Sequence, residues 1–186
     1  MLMVKFVSSQ KYWRDTMYNE KDFKRMSSFY VNEVHLITML FPFIERKLQE
    51  ESEIYTYLQN DLEKTVKMLL SRLNLKEDLK EKINKIDWKE KQLVESKNLS
   101  INQQNNIQKF IIVSGNDKYI KEVNKNIQKL DKISKEKIVI INCYNIVEFN
   151  KNIKSILDNT DMILNTSGEH EIEEVFPEYI KQKKKA

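Results

Sequence analysis

Glycine is the scarcest informative residue in this chain of 186 residues: there are two, Gly115 and Gly168. Neither a G-x-x-x-x-G-K-[ST] loop nor a G-x-G-x-x-G fingerprint can be written from them. P-loop and Rossmann cofactor chemistry are therefore excluded. A single cysteine, Cys143, excludes an internal disulfide and any zinc site built from several thiolates. No run approaches the ~18 apolar residues of a membrane span. The opening MLMVKFVSSQ lacks a signal-peptide core and cleavage site, so the expected location is cytoplasmic. The only alanine is Ala186, while Lys, Asn, Ile and Glu abound. That bias is one of coding in an AT-rich genome.

The net charge of +4 is concentrated at one end. Lys181, Lys183, Lys184 and Lys185 against Glu178 carry three of those four charges. Nucleic-acid contact is thus expected to be weak, salt-sensitive and confined to the tail. Three regions follow: an N-terminal segment 1–25 packing on the domain, one α/β domain over 26–178, and a basic, disordered tail over 179–186.

Within residues 28–49, Tyr30, Val34, Ile37, Phe41, Ile44 and Leu48 are spaced 4, 3, 4, 3 and 4 apart, one face of a helix. Pro42 predicts a kink there, or a second helix that starts with it. Met39, Leu40 and Phe43 widen the stripe beyond what one sheet face covers. Val34, Ile37, Met39, Leu40 and Phe43 are therefore candidates for a homodimer interface, with cover by the N-terminal segment as the alternative. Residues 53–58 read as a strand. Asn60 and Glu63 resemble a capping pair opening a helix through Leu73. Leu79, Ile83 and Ile86 mark a short helix, and Asp87 to Val94 a possible strand.

Thereafter strands and helices alternate. Phe110–Val113, Ile138–Ile141 and Met162–Leu164 are apolar strands, separated by amphipathic stretches around Tyr119–Leu130 and Phe149–Leu157. The pattern predicts an α/β fold with a mainly parallel sheet flanked by helices.

Three stretches resemble the MEDS sensory domain of methanogens and methylotrophs. Phe29-Tyr30, leading through Leu40-Phe41-Pro42-Phe43-Ile44 to Leu48, is similar to an early helix of that family. Glu53-Ile54-Tyr55 is similar to its acidic strand opening. Ile140-Ile141-Asn142-Cys143-Tyr144-Asn145 with Phe149 resembles its "CxYd … F" strand end, and Asp158 to Gly168 its penultimate strand and turn. The likeness spans roughly residues 25–170 and departs at Thr160-Asp161, where the family has His-Pro. It implies a RecA-like fold without a P-loop and a sensory or regulatory role, with no catalytic residue carried over and no cofactor.

Two turns are the best ligand-site candidates: Ser114-Gly115-Asn116-Asp117 and Asn165-Thr166-Ser167-Gly168. Each is expected to join a strand to a helix, where exposed backbone N–H groups can hold an anion. Cys143, Tyr144 and Asn145 end a strand on the same edge and complete a polar rim. The bland reading of each turn is a capped helix start. Cys143 could pair with His35 or His170 as thiol and base, but directly after an apolar strand it reads as a small buried hydrophobe. Glu169-His170-Glu171 with Glu173 and Glu174 reads as an acidic first helical turn; only His170 and Glu174 (or Glu173) share a face, so no metal site is expected. The leading function is a non-enzymatic sensory or regulatory domain binding a small molecule or a partner protein. The alternatives are an enzyme acting on a small anionic substrate at the strand ends, and a weak nucleic-acid-associated protein.

Overall fold

The computed structural model describes residues 23–93, 107–134, 138–147 and 153–179. The expected N-terminal packing segment up to residue 22, Phe149 and the lysine tail from residue 180 lie outside the described residues. Five parallel strands form the sheet: β1 (Phe23–Tyr30), β2 (Glu53–Leu58), β3 (Lys109–Ser114), β4 (Ile138–Asn145) and β5 (Met162–Asn165). A short β6 (Gly168–His170) adds antiparallel at one edge, giving the order β2-β3-β4-β1-β5-β6. The helices are α1 (Glu33–Gln49), α2 (Glu63–Arg72), α3 (Glu77–Asn84), α4 (Asp117–Ser134), α5 (Ile153–Leu157) and α6 (Ile172–Val175). β1 is central, between β5 on one side and β4, β3 and β2 on the other, in a mainly parallel α/β sheet.

Alternation along the strands splits the core in two. In β3, Phe110 and Ile112 face α1, α2 and α3, whereas Ile111 and Val113 face α4. A period of two is what a pleated strand imposes, and burial on both faces explains the unbroken apolar runs of β3 and β4. On α1, Leu36, Ile37, Met39, Leu40, Phe41, Phe43 and Ile44 are all buried. Each contributes on the order of 1.5–3 kcal/mol when fully removed from water.

This burial corrects the interface expectation. Ile37, Met39, Leu40 and Phe43 are at most 2% exposed, inside the chain's own core. The wide stripe is covered by the sheet on one side and by α2 and α3 on the other. Only Val34 among those candidates is exposed. Pro42 does not start a new helix; α1 runs through it as a single element. The prolyl ring is on the exposed side, so the carbonyl that loses its donor faces water.

β1 corrects a second expectation, since Tyr30 ends a strand and does not open a helix. β1 is central yet carries Lys24, Arg25, Ser27 and Ser28, so it lacks an apolar run. Its polar groups are satisfied laterally. Ser27 Oγ lies 2.6 Å from Thr160 Oγ1, and the Ser28 hydroxyl donates to the Leu164 carbonyl at 2.7 Å. The Arg25 N–H donates to Asp161, whose own N–H returns to the Arg25 carbonyl.

Smaller differences have equally local causes. The N-terminal turn of α2 takes its side-chain bond from Asp61, which accepts from the Glu63 N–H, and not from Asn60. Residues 87–93 form no strand of their own. They wrap the outer edge of β2 through a single bridge, Leu58 with Glu90, while Trp88 plugs the α1-side core. Tyr179, expected in the tail, is buried against Leu157 and Ile163 and belongs to the domain.

Candidate functional site

Parallel register brings the carboxyl ends of the strands to one edge. Tyr30 stands opposite Asn145, Ser114 opposite Cys143, and Leu58 opposite Ser114. From β1 the chain crosses β4 and β3 to reach β2; from β4 it crosses β1 to reach β5. The connections diverge between β1 and β4, and such a switch point is where open α/β sheets bind ligands.

The β1–α1 connection is only Val31-Asn32, and three of the N–H groups around it are engaged. The Val31 N–H donates to His35 Nδ1 at 3.3 Å, the His35 N–H to Asn32 Oδ1 at 2.9 Å, and the Leu36 N–H to the Asn32 carbonyl at 3.0 Å. Glu33 adds a negative charge in the first helical turn. That charge disfavours an anion at this helix start. On the β4 side the Ile146 N–H donates to the Tyr30 carbonyl, and the Val147 N–H to Asn145 Oδ1. Beside the exposed Asn32 and Glu33, Val31, Val34, Ile146 and Val147 are 43–72% exposed.

The turn Ser114-Gly115-Asn116 is built inward. Ser114 Oγ meets the Tyr30 hydroxyl at 3.0 Å in the interior. A Cβ on Gly115 would come within 2.9 Å of Gln59 and Tyr119, so only glycine permits this approach. Asn116 caps α4 by accepting from the Tyr119 N–H, and its own N–H goes to Gln59 Oε1 at 2.6 Å. The capped-helix reading describes this turn, and its named amides do not face a ligand.

Cys143 is fully buried and burial pushes its thiol far up, which removes the thiolate that nucleophilic chemistry requires. Tyr144 is buried too; burial first, then the charge of Asp117, raises its phenol. Its ring stacks on Phe29 at 5.9 Å. Asn145 is half-buried and engaged by Val147 as above.

Asn165, Thr166, Ser167 and Gly168 do not join a strand to a helix. They form a tight hairpin, with Asn165 paired to Gly168 and Gly168 at φ +125°. Asn165 Oδ1 accepts from the Ser167 N–H at 2.9 Å and lies 2.7 Å from its hydroxyl. Glu169 and His170 are therefore strand residues on opposite faces. Glu169 pairs with Arg46 at 2.7 Å and Lys47 at 3.3 Å. His170 lies between Ser167 Oγ (2.9 Å from Nε2) and Glu174 Oε2 (3.1 Å from Nδ1). Ser167 is a candidate from the sequence, but its approach to His170 was not legible there, because His170 is expected in a helix. The shared face of His170 and Glu174 was legible from their spacing. Among the described residues no cluster of three or more His, Cys, Asp or Glu side chains could hold a metal, and no helix is long and apolar enough to cross a membrane.

No family model, no curated protein and no solved structure matches the chain.

Proposed function

We propose that this chain is a sensory or regulatory domain that binds a small molecule or a partner protein at the β1/β4 switch point. One observation carries the reading. Four apolar residues on the segments that follow β1 and β4, Val31, Val34, Ile146 and Val147, are exposed, and these two strands flank the topological switch point. The resemblance to MEDS domains supports the sensory role, and the single unpaired thiol fits a cytoplasmic setting. The Glu33 carboxylate in the first turn of α1 argues against phosphate groups as the recognised feature.

A thermal-shift screen of metabolites, with and without nucleotides and metals, tests the reading. A ligand present at a hundred times its Kd stabilises the native state by ~2.7 kcal/mol. The shift is expected to vanish in Val31→Glu and Val147→Glu, which leave the core untouched. Stabilisation that persists in both variants would place the site elsewhere.

A further inference from the structure

We propose that Ser167 is an activated nucleophile that accepts the acyl group of a carboxylic ester and passes it to water. This goes beyond the binding reading and rests on different residues. The hydroxyl, the imidazole and the carboxylate of Ser167, His170 and Glu174 form a continuous chain at 2.9 and 3.1 Å. A nucleophile, a base within hydrogen-bond reach and a third group orienting that base are the parts such chemistry requires, and they are recognised by geometry and not by order in the chain.

The single hydroxyl proton has two acceptors within reach, His170 Nε2 and Asn165 Oδ1. The shorter contact is to Asn165 at 2.7 Å, so transfer to the imidazole requires the hydroxyl to turn toward Nε2. A carboxylate at Nδ1 holds the proton on that nitrogen, leaving the Nε2 lone pair for the serine. Asn165 keeps the turn in shape through the Ser167 N–H. Ser167 is exposed at the tip of the hairpin, just beyond the carboxyl end of β5, on the ligand-binding edge of the sheet. His170 faces the side of the sheet that carries Phe29, Val175 and Phe176.

The step balances without a cofactor. Ser167 Oγ bonds to the carbonyl carbon, its proton passes to His170 Nε2, and the departing alkoxide takes that proton as the alcohol. Water then attacks the acyl-serine with His170 as base, releasing the carboxylic acid and restoring the hydroxyl. Ser167 and His170 are the catalytic residues; Glu174 is a positioning residue.

The full chain, incubated with p-nitrophenyl acetate and with a fluorophosphonate probe, provides the test. An activated ester suits a site whose power comes from the serine–histidine pair, because its leaving group departs readily. Peptide mapping is expected to place the acetyl and phosphonyl adducts on Ser167. Ser167→Ala should lose both. His170→Gln should slow acylation by ~10²-fold or more, the usual contribution of a general base. The wild-type rate should rise sigmoidally with pH. Glu174→Gln should displace that profile, and Glu174→Asp should restore it in part. All three side chains lie at the surface, so unchanged thermal melts are expected. Adducts mapped only to lysine or tyrosine, absence of adducts on the folded wild type, or an unchanged rate in His170→Gln would each overturn the proposal. Mapping the wild-type adduct decides the matter even where a variant fails to fold.

Discussion

The Tyr30 hydroxyl meets the Ser114 hydroxyl at 3.0 Å in the interior, joining the ends of β1 and β3 across the intervening β4. Tyr30→Phe leaves Ser114 without this partner in a buried setting, a loss of about 1–3 kcal/mol. Ser114→Ala should cost a comparable amount. The double variant should cost less than the sum, because the two groups interact directly. Urea unfolding of the four proteins measures the coupling, and strict additivity would show that the bond contributes nothing.

Gly115→Ala should lower stability by roughly 1–3 kcal/mol, since the new methyl group meets Gln59 Cβ at 2.8 Å and Tyr119 Cδ1 at 2.9 Å. Gly168→Ala fails for another reason. It meets nothing within 4 Å, but φ +125° is strained for any L side chain. Thermal melts should show both losses. Trimming one neighbour, as in Gln59→Gly, should relieve the first in part, since the Tyr119 contact remains, and leave the second unchanged.

Met39→Glu should unfold the chain. Met39 is 2% exposed, and its sulfur lies 3.0 Å from the Ser28 hydroxyl under β1. A carboxylate there has neither water nor a cation, a cost of several kcal/mol. Val34→Glu, at an exposed position of the same helix, should leave the melting temperature within a degree or two, as surface substitutions usually do. Circular dichroism melts distinguish the two, and a folded Met39→Glu protein would contradict the burial of this face.

Alkaline pH should destabilise the protein. The Cys143 thiol and the Tyr144 phenol are both held above their ordinary values of 9.0 and 10.0, chiefly by burial. A hydrogen bond to Asp158 raises the Tyr179 phenol as well. In each case the folded state retains a proton that the unfolded state releases. Stability is therefore complete below the unfolded value and falls as pH rises beyond it. Denaturant midpoints should decline progressively above pH 9, and Cys143→Ala should remove the earliest part of that decline. Iodoacetamide should not modify Cys143 in the native protein and should modify it on unfolding.

Strands β2, β3, β4 and β5 were legible because each is a short run of β-branched or aromatic residues bounded by turns. β1 was not, since a strand flanked by side-chain partners on both sides has no need of an apolar run. Ser27 and Ser28 are compatible with the sheet centre only because Thr160 and the Leu164 carbonyl stand beside them. No local pattern reveals partners so distant. The hairpin at Asn165–Gly168 was missed for the opposite reason. Its turn residues were identified correctly, but strand-to-helix alternation was extended one step too far. That error hid the approach of Ser167 to His170. The site residues at Ser114–Asn116 and Cys143–Asn145 were placed on the correct edge, but from composition alone their inward engagement could not be read.

The polar central strand has a consequence for biosynthesis. Ser28 and the Leu164 carbonyl that satisfies it are 136 residues apart. As the chain is made, β1 emerges long before β4 and β5, the strands that flank it. Until those arrive, the apolar face of α1 has only part of its cover. Contacts of such separation are formed late and slowly. The nascent chain thus passes through a long interval in which its middle strand has no neighbours, and chaperones that hold partly folded chains on the ribosome act in that interval.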